Sequence, residues 1–405
     1  MSTTNRNIVA IYLTFALQSL GQSIGWQFGT YFLQNELGVL NYVILTVIWS
    51  IPTFVSIVAV SYWGSASDKK GKRKPFMILG FAGFSVTYLL LSFVRSDVEF
   101  LLISAVGALF YSSSIPAGQA LATTSTEKKG ERLGYMIVAQ SAGWFVGSLG
   151  SGFLYDIIGM FALYQISAVS CVLATLICLV FVEDVDFKPV LIGKRKSALS
   201  LLKMPGMTRL VTAVMLSALG IATISSLVAI MIVDELGGFP AYVGLANSGA
   251  TLLAVIITGY IGKLIDKKGP SEILVIAYIS YILFAIAYAI VPDAIGASIL
   301  FAIPIYPLAN TAAFAFAALL SGDEERGSAM GLINGAGNAG VAIGPIIGGI
   351  FAEYVFFRVQ PVSWINMLFN LVALIIALSL LPIAKTLRKG AQHSEGDITL
   401  IEPDD

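Results

Sequence analysis

Apolar residues run along this chain in long unbroken blocks separated by short polar connectors. Twelve blocks lie near residues 8–34, 40–65, 75–94, 98–122, 134–155, 160–182, 209–233, 241–262, 273–291, 294–320, 329–352 and 362–384. Each is long enough for a helix that crosses a hydrocarbon core about 30 Å thick, which takes about 20 residues. The blocks are continuous rather than alternating, which excludes transmembrane β-strands. The pattern predicts an all-α integral membrane protein with twelve transmembrane helices. The first block is too long for a signal-peptide core and has no small-residue cleavage site after it, so it reads as an uncleaved insertion signal.

The connectors orient the blocks. With the N-terminus inside, all but Arg95 and Arg358 of the 24 Lys and Arg residues fall on the same side. That bias predicts a multi-pass protein of the plasma (inner) membrane with both termini cytoplasmic. The longest polar connector follows the sixth block. It predicts an N-terminal six-helix bundle over 1–182, a cytoplasmic loop over 183–208, a C-terminal six-helix bundle over 209–384 and a cytoplasmic tail over 385–405.

The two halves repeat. Glu36, Leu37 and Gly38 reappear as Glu235, Leu236 and Gly237, an offset of 199. Gly64, Asp68, Lys69, Lys70 and Gly71 reappear as Gly262, Asp266, Lys267, Lys268 and Gly269, an offset of 198. Gly134, Gly143, Gly147 and Gly152 reappear as Gly331, Gly340, Gly344 and Gly349, an offset of 197. An offset of six helices preserves orientation, so the repeat is parallel and predicts two similar bundles about an axis along the membrane normal.

Composition agrees: 57% of residues are hydrophobic and 12% charged, where soluble domains carry about 25% charged residues. Lys plus Arg equal Asp plus Glu at 24 each. No global basic field therefore exists to attract nucleic acid. Cys171 and Cys178 share one apolar block, and His393 is the single histidine. Neither a disulfide framework nor a metal centre is expected, and no cofactor is implied.

The connector from Gly64 to Lys74 carries chemistry of its own. Gly64 allows close helix approach, Asp68 can cap a helix or accept from a cation, and Gly71 permits a turn with positive φ. Lys69, Arg73 and their basic neighbours hold the segment at the inner face. This segment, with its second copy at Gly262, Asp266 and Gly269, resembles the signature loop of the major facilitator superfamily. The resemblance covers nearly the whole chain. It implies a transporter in which Asp68 latches the cytoplasmic side against the start of the eleventh helix near Ser328, with Arg132 and Arg326 as cationic partners. The second copy departs from the pattern, because Pro270, Ser271 and Glu272 follow Gly269 with no Arg. The stretch from Gly340 to Gly349, with Pro345 inside it, is similar to the glycine-proline motif that drug and sugar exporters of the superfamily carry in their fifth helix. Here the fifth block has glycines and no proline.

No charged residue lies deep in a block. The deep polar groups are neutral, and they are the candidate substrate contacts. Gln18, Gln22 and Trp26 share one helical stripe, beside a second stripe of Gly21, Gly25 and Gly29. Tyr111 belongs to the fourth block, Gln140 and Trp144 to the fifth, and Asn247 to the eighth. Tyr306 and Asn310 lie in the tenth, and Asn334 and Asn338 in the eleventh. Such groups suit a neutral polar or amphipathic small molecule, moved by alternating access and with a bias towards efflux. The alternative is a membrane sensor of the same fold that binds a solute without moving it. With no nucleotide loop and no metal cluster, an enzyme is not expected. Expected partners are a small-molecule solute and the lipid bilayer. With no deep acid, the expectation is either facilitated diffusion or secondary active transport coupled through end groups such as Glu36, Asp68 or Asp234, with protons as the candidate ion, and the protein is expected to be a monomer.

Overall fold

The computed structural model describes residues 3–124, 128–184 and 198–386. Half of the expected central loop, with Lys188, Lys194, Arg195 and Lys196, lies outside the described residues, as does most of the tail, including His393. Among the described residues, eleven helices are long and apolar enough to cross a membrane. They are α1 (Arg6–Asn35), α2 (Tyr42–Lys70), α3 (Lys74–Leu91), α4 (Asp97–Thr123), α5 (Lys129–Phe181), α6 (Met207–Ser225), α7 (Pro240–Lys268), α8 (Pro270–Ile290), α9 (Ala294–Gly322), α10 (Glu325–Phe356) and α11 (Gln360–Thr386). The fifth and sixth apolar blocks both fall in α5, which is 53 residues long and breaks at Gly159, where φ is 73°.

Local chemistry sets the ends. The Asn41 side chain accepts from the Ile44 amide at the start of α2. Ser96 accepts from the Glu99 amide at the start of α4, and the Glu99 carboxylate in turn accepts from the Arg95 amide. This reciprocal pairing satisfies amides that the helix itself leaves open. Gly71 ends α2 in the left-handed region (φ 65°), as its position suggested. Several helices outrun their apolar blocks at the basic end, because lysines there lie beyond the hydrocarbon and can stay helical. Asp68, Lys69 and Lys70 therefore form the last turn of α2 rather than a loop, and α10 begins at Glu325 rather than near Ser328.

The sequence repeat reappears in the packing. Gly143 and Gly147 of α5 lie against the Ala16 and Leu20 carbonyls of α1. Their counterparts Gly340 and Gly344 of α10 lie against the Met215 and Leu219 carbonyls of α6. A Cβ on Gly348 would fall 1.8 Å from the Thr223 carbonyl oxygen, so only glycine permits this approach. Contacts between the halves repeat too. Gly152 of α5 meets Gly244 of α7, and Gly349 of α10 meets Thr46 of α2.

Three apolar clusters organise the interior. One draws only on residues from Ala10 to Val182 and another only on residues from Leu201 to Ala384. The third, from Ile24 to Val362, draws on both halves and gathers at the end away from the basic connectors. Hydrogen bonds join the halves at that same end. Thr30 donates to the Ser226 carbonyl at 2.5 Å, and the Tyr42 amide donates to Glu353 at 2.8 Å. Asn35 donates to Asp234 at 3.3 Å. At the basic end, Gly130, Gly134, Gly259, Gly262, Gly331 and Gly335 all face open space.

Candidate functional site

Between the halves lies a cavity of about 610 Å³. Six residues expected from the sequence line it: Gln22, Tyr111, Gln140, Trp144, Asn247 and Tyr306. Ser19, Ser141 and Thr251 add hydroxyls, and Tyr281, Phe284 and Phe301 add aromatic faces. No Asp, Glu, Lys, Arg or His is among the lining residues.

Two broken helices shape this lining. In α4 the regular helix ends at Tyr111 and resumes at Ser114, with Tyr111 projecting into the cavity. In α9 the helix stops at Phe301 and resumes at Tyr306, and residues 303–306 form part of the wall. Pro304 and Pro307 cannot donate to the helical ladder, which accounts for the break. Irregular backbone at membrane depth is tolerated where it borders a cavity.

The α1 stripe is held by direct partners. Gln18 is buried and donates to the Ser114 hydroxyl at 3.0 Å, so it positions α4 rather than lining the cavity. The Gln22 side-chain oxygen accepts from the Tyr111 hydroxyl at 3.0 Å. Trp26 stacks obliquely on Trp49, with ring centroids 3.9 Å apart. The neighbouring glycine stripe packs instead: Gly25 lies beneath Tyr88 and Gly29 beneath Trp49.

Other candidates fall elsewhere. Trp26 lines two smaller cavities beside the main one. Asn310 lines a cavity of about 210 Å³ between α6, α8, α9 and α10. Asn334 and Asn338 are exposed and are not among the residues that line these cavities. They lie on the same face of α10 as Val341 but nearer the basic end, where the halves part. Gln27 is a contact that the sequence reading missed. It accepts from Asn247 at 3.0 Å and donates to the Ser148 carbonyl at 3.4 Å, joining the halves above the cavity. It is next to Trp26 and off the stripe that drew attention to α1. A buried cluster in which Ser217 donates to Asn370 and Asn370 donates to Asn366 was likewise unforeseen.

At the basic end, Asp68 pairs with Arg73 at 2.5 Å, five residues on, rather than with Arg132 or Arg326. Arg73 also donates to Ser67, and its amide donates to Asp184 just past α5 at 3.0 Å. The signature segment is thus tied within the first half, to the end of α5. A Cβ added at Gly64 would lie 3.7 Å from Pro116, an ordinary van der Waals contact that does not itself require glycine. The Arg132 carbonyl accepts from Tyr12, while Arg326, Lys69 and Asp266 are exposed. Gly269 (φ 108°) is the single residue between α7 and α8, and Pro270 starts the next helix. At the opposite end, burial raises the Asp234 carboxyl above its usual range, and the hydrogen bond from Asn35 opposes that rise.

Sequence comparison now decides the family. The profile described as Major Facilitator Superfamily matches residues 1–317 and, in an overlapping match, 210–403. The chain belongs to the Major Facilitator Superfamily. Among its relatives, the multidrug resistance protein MdtG of Salmonella arizonae is 26% identical over 304 residues, covering 71% of this chain and 73% of that protein. MdtG of Escherichia fergusonii is 25% identical over 303 residues, covering 71% and 72%. Two solved structures share the fold. The nucleoside transporter NupG superimposes with a TM-score of 0.76 at 14% identity, over 94% of this chain and 99% of NupG. The peptide transporter POT superimposes with a TM-score of 0.76 at 13% identity, over 94% of each chain.

Proposed function

We propose that this superfamily member exports neutral or amphipathic small molecules by alternating access. The observation that carries this is the cavity between the halves, walled by amides, hydroxyls and aromatic rings and with no Asp, Glu, Lys, Arg or His in its lining. A buried uncompensated ion is costly, so such a lining favours an uncharged solute or one whose charge remains at the open end. The multidrug names of the relatives, and the glycine-proline stretch of α10 packed on α6, support export.

In this reading α5 is two crossings joined at Gly159, which makes twelve, and residues 1–182 and 209–384 are two six-helix bundles. The basic end and both termini face the cytoplasm of an inner-membrane monomer. The conformation is open to the inside: the shared apolar cluster and the cross-half hydrogen bonds close the outside, and the latch of Asp68 to α10 is released. Coupling to protons runs through carboxylates of the outer closure, with Asp234 the leading candidate.

Thermal stability in detergent against a panel of sugars, neutral amphipathic drugs, lipophilic cations and organic anions tests the solute class. A ligand at about 100 times its Kd stabilises by about 2.7 kcal/mol. Hits among uncharged compounds support the reading; hits confined to ions overturn it.

A further inference from the structure

A second cavity of about 230 Å³ adjoins the first, lined by α1, α2, α3 and α4 of the N-terminal half and closed by Val341 of α10. Gln22 and Tyr111 line both cavities, so their hydrogen bond forms the sill between the two. Aromatic rings stand on its walls. On one side stand Trp26 and Trp49, packed at 3.9 Å. On the other stand Phe84, Tyr88 and Tyr111, with Phe84 4.6 Å from Tyr88 and 4.7 Å from Tyr111 between ring centroids. The glycines of α1 make the pocket possible, because a side chain at Gly25 or Gly29 would displace Tyr88 or Trp49.

We propose that this side pocket is a dedicated subsite for a planar, uncharged aromatic group of two fused rings, whose polar remainder lies on the amides of the main cavity. Size, shape and charge each bear on this. An apolar cavity of about 150 Å³ takes up benzene, so a pocket of 230 Å³ admits a larger ring system. The wall rings, tilted 36–55° to their neighbours, offer a planar group offset and edge-on contacts that aliphatic chains cannot use as well. No ionisable acid or base lies in the lining apart from the tyrosine hydroxyls. The substrate class this implies is a bipartite molecule, a fused aromatic head with a neutral hydrogen-bonding body. The inference deepens the transport reading and rests on it for the substrate's fate, but not for the pocket's occupancy.

The test uses the full chain in lipid nanodiscs, with 7-methoxycoumarin as probe and empty nanodiscs as the partition control. Saturable energy transfer from tryptophan to the coumarin reports binding. Ala108→Phe, which fills the side pocket, should weaken binding at least about tenfold, as overpacking of a shaped site does. Ser104→Leu is a milder filling of the same pocket, in case Ala108→Phe does not fold. Val372→Phe, exposed on α11 and outside both cavities, should leave coumarin affinity within about twofold. Absence of saturable binding, or equal affinity in wild type and in a folded side-pocket variant, overturns the proposal. Coumarin binding with no solute flux keeps the subsite and removes the transport reading; flux of neutral solutes without coumarin binding does the reverse.

Discussion

The meeting of α5 and α7 gives the sharpest perturbation of the closure that the proposed orientation places outside. Gly152 and Gly244 face each other across the two halves, and a Cβ built on Gly152 falls 2.7 Å from the Gly244 Cα. No flexible side chain is available there to move aside, so Gly152→Leu forces the two backbones apart. Overpacking of this kind costs about 1–3 kcal/mol. The contact joins the halves, so the cost falls on the outward-closed conformation and not on each half alone. At about 1.4 kcal/mol per tenfold, the closed-to-open ratio should fall about 5- to 150-fold. Ser226→Cys reports this directly, because Ser226 is 6% exposed and its carbonyl accepts from Thr30 across the closure. The native Cys171 and Cys178 are fully buried and leave the background low. A membrane-impermeant maleimide added outside should label Ser226→Cys at least about tenfold faster when Gly152→Leu is present. An unchanged labelling rate in a folded double variant would refute the assignment of this contact to the gate.

Further outcomes follow from the same geometry. Gln22→Ala combined with Asn247→Ala should lower flux of an uncharged solute at least about tenfold while the protein stays monodisperse in size-exclusion chromatography. Arg73→Ala should lower the melting temperature more than Asp68→Ala, since the Arg73 guanidinium holds both Ser67 and Asp68, whereas Asp68 is half-exposed and its loss leaves Ser67 paired. Asp234 has a raised pKa, so its contribution to this conformation is fully present below about pH 3.8 and is lost as pH rises through the raised value. Asp234→Asn should therefore flatten the pH dependence of melting over that acidic window. Gly348→Leu should prevent folding, because Thr223 backbone occupies the space its side chain needs.

Much of this was readable from sequence because the bilayer imposes strong rules. Apolar length fixed the helices closely; the last turn of α2 and the first turns of α5 escaped because they project beyond the hydrocarbon, where length says nothing. The repeat was legible to the level of contacts: Gly152 and Gly349, matched by offset, meet Gly244 and Thr46, which match by almost the same offset. Side-chain direction was less legible. Gln22 and Gln18 share a stripe, yet Gln22 reaches the cavity and Gln18 is spent on Ser114. Asn334 and Asn338 share a face with Val341, but the parting of the halves at that level leaves them outside the lining. The aromatic side pocket depends on Tyr88 and Trp49 closing over α1 glycines, a long-range meeting that no local pattern encodes.

The central claim is that the cavity between the halves carries uncharged solutes. The most direct measurement is counterflow in proteoliposomes, with a neutral fused-ring amphiphile, a lipophilic cation and an organic anion compared in one preparation. Saturable flux of the neutral compound is expected, reduced in the Gln22→Ala, Asn247→Ala variant. Saturable flux of the ions alone, unaffected by that variant, would contradict it.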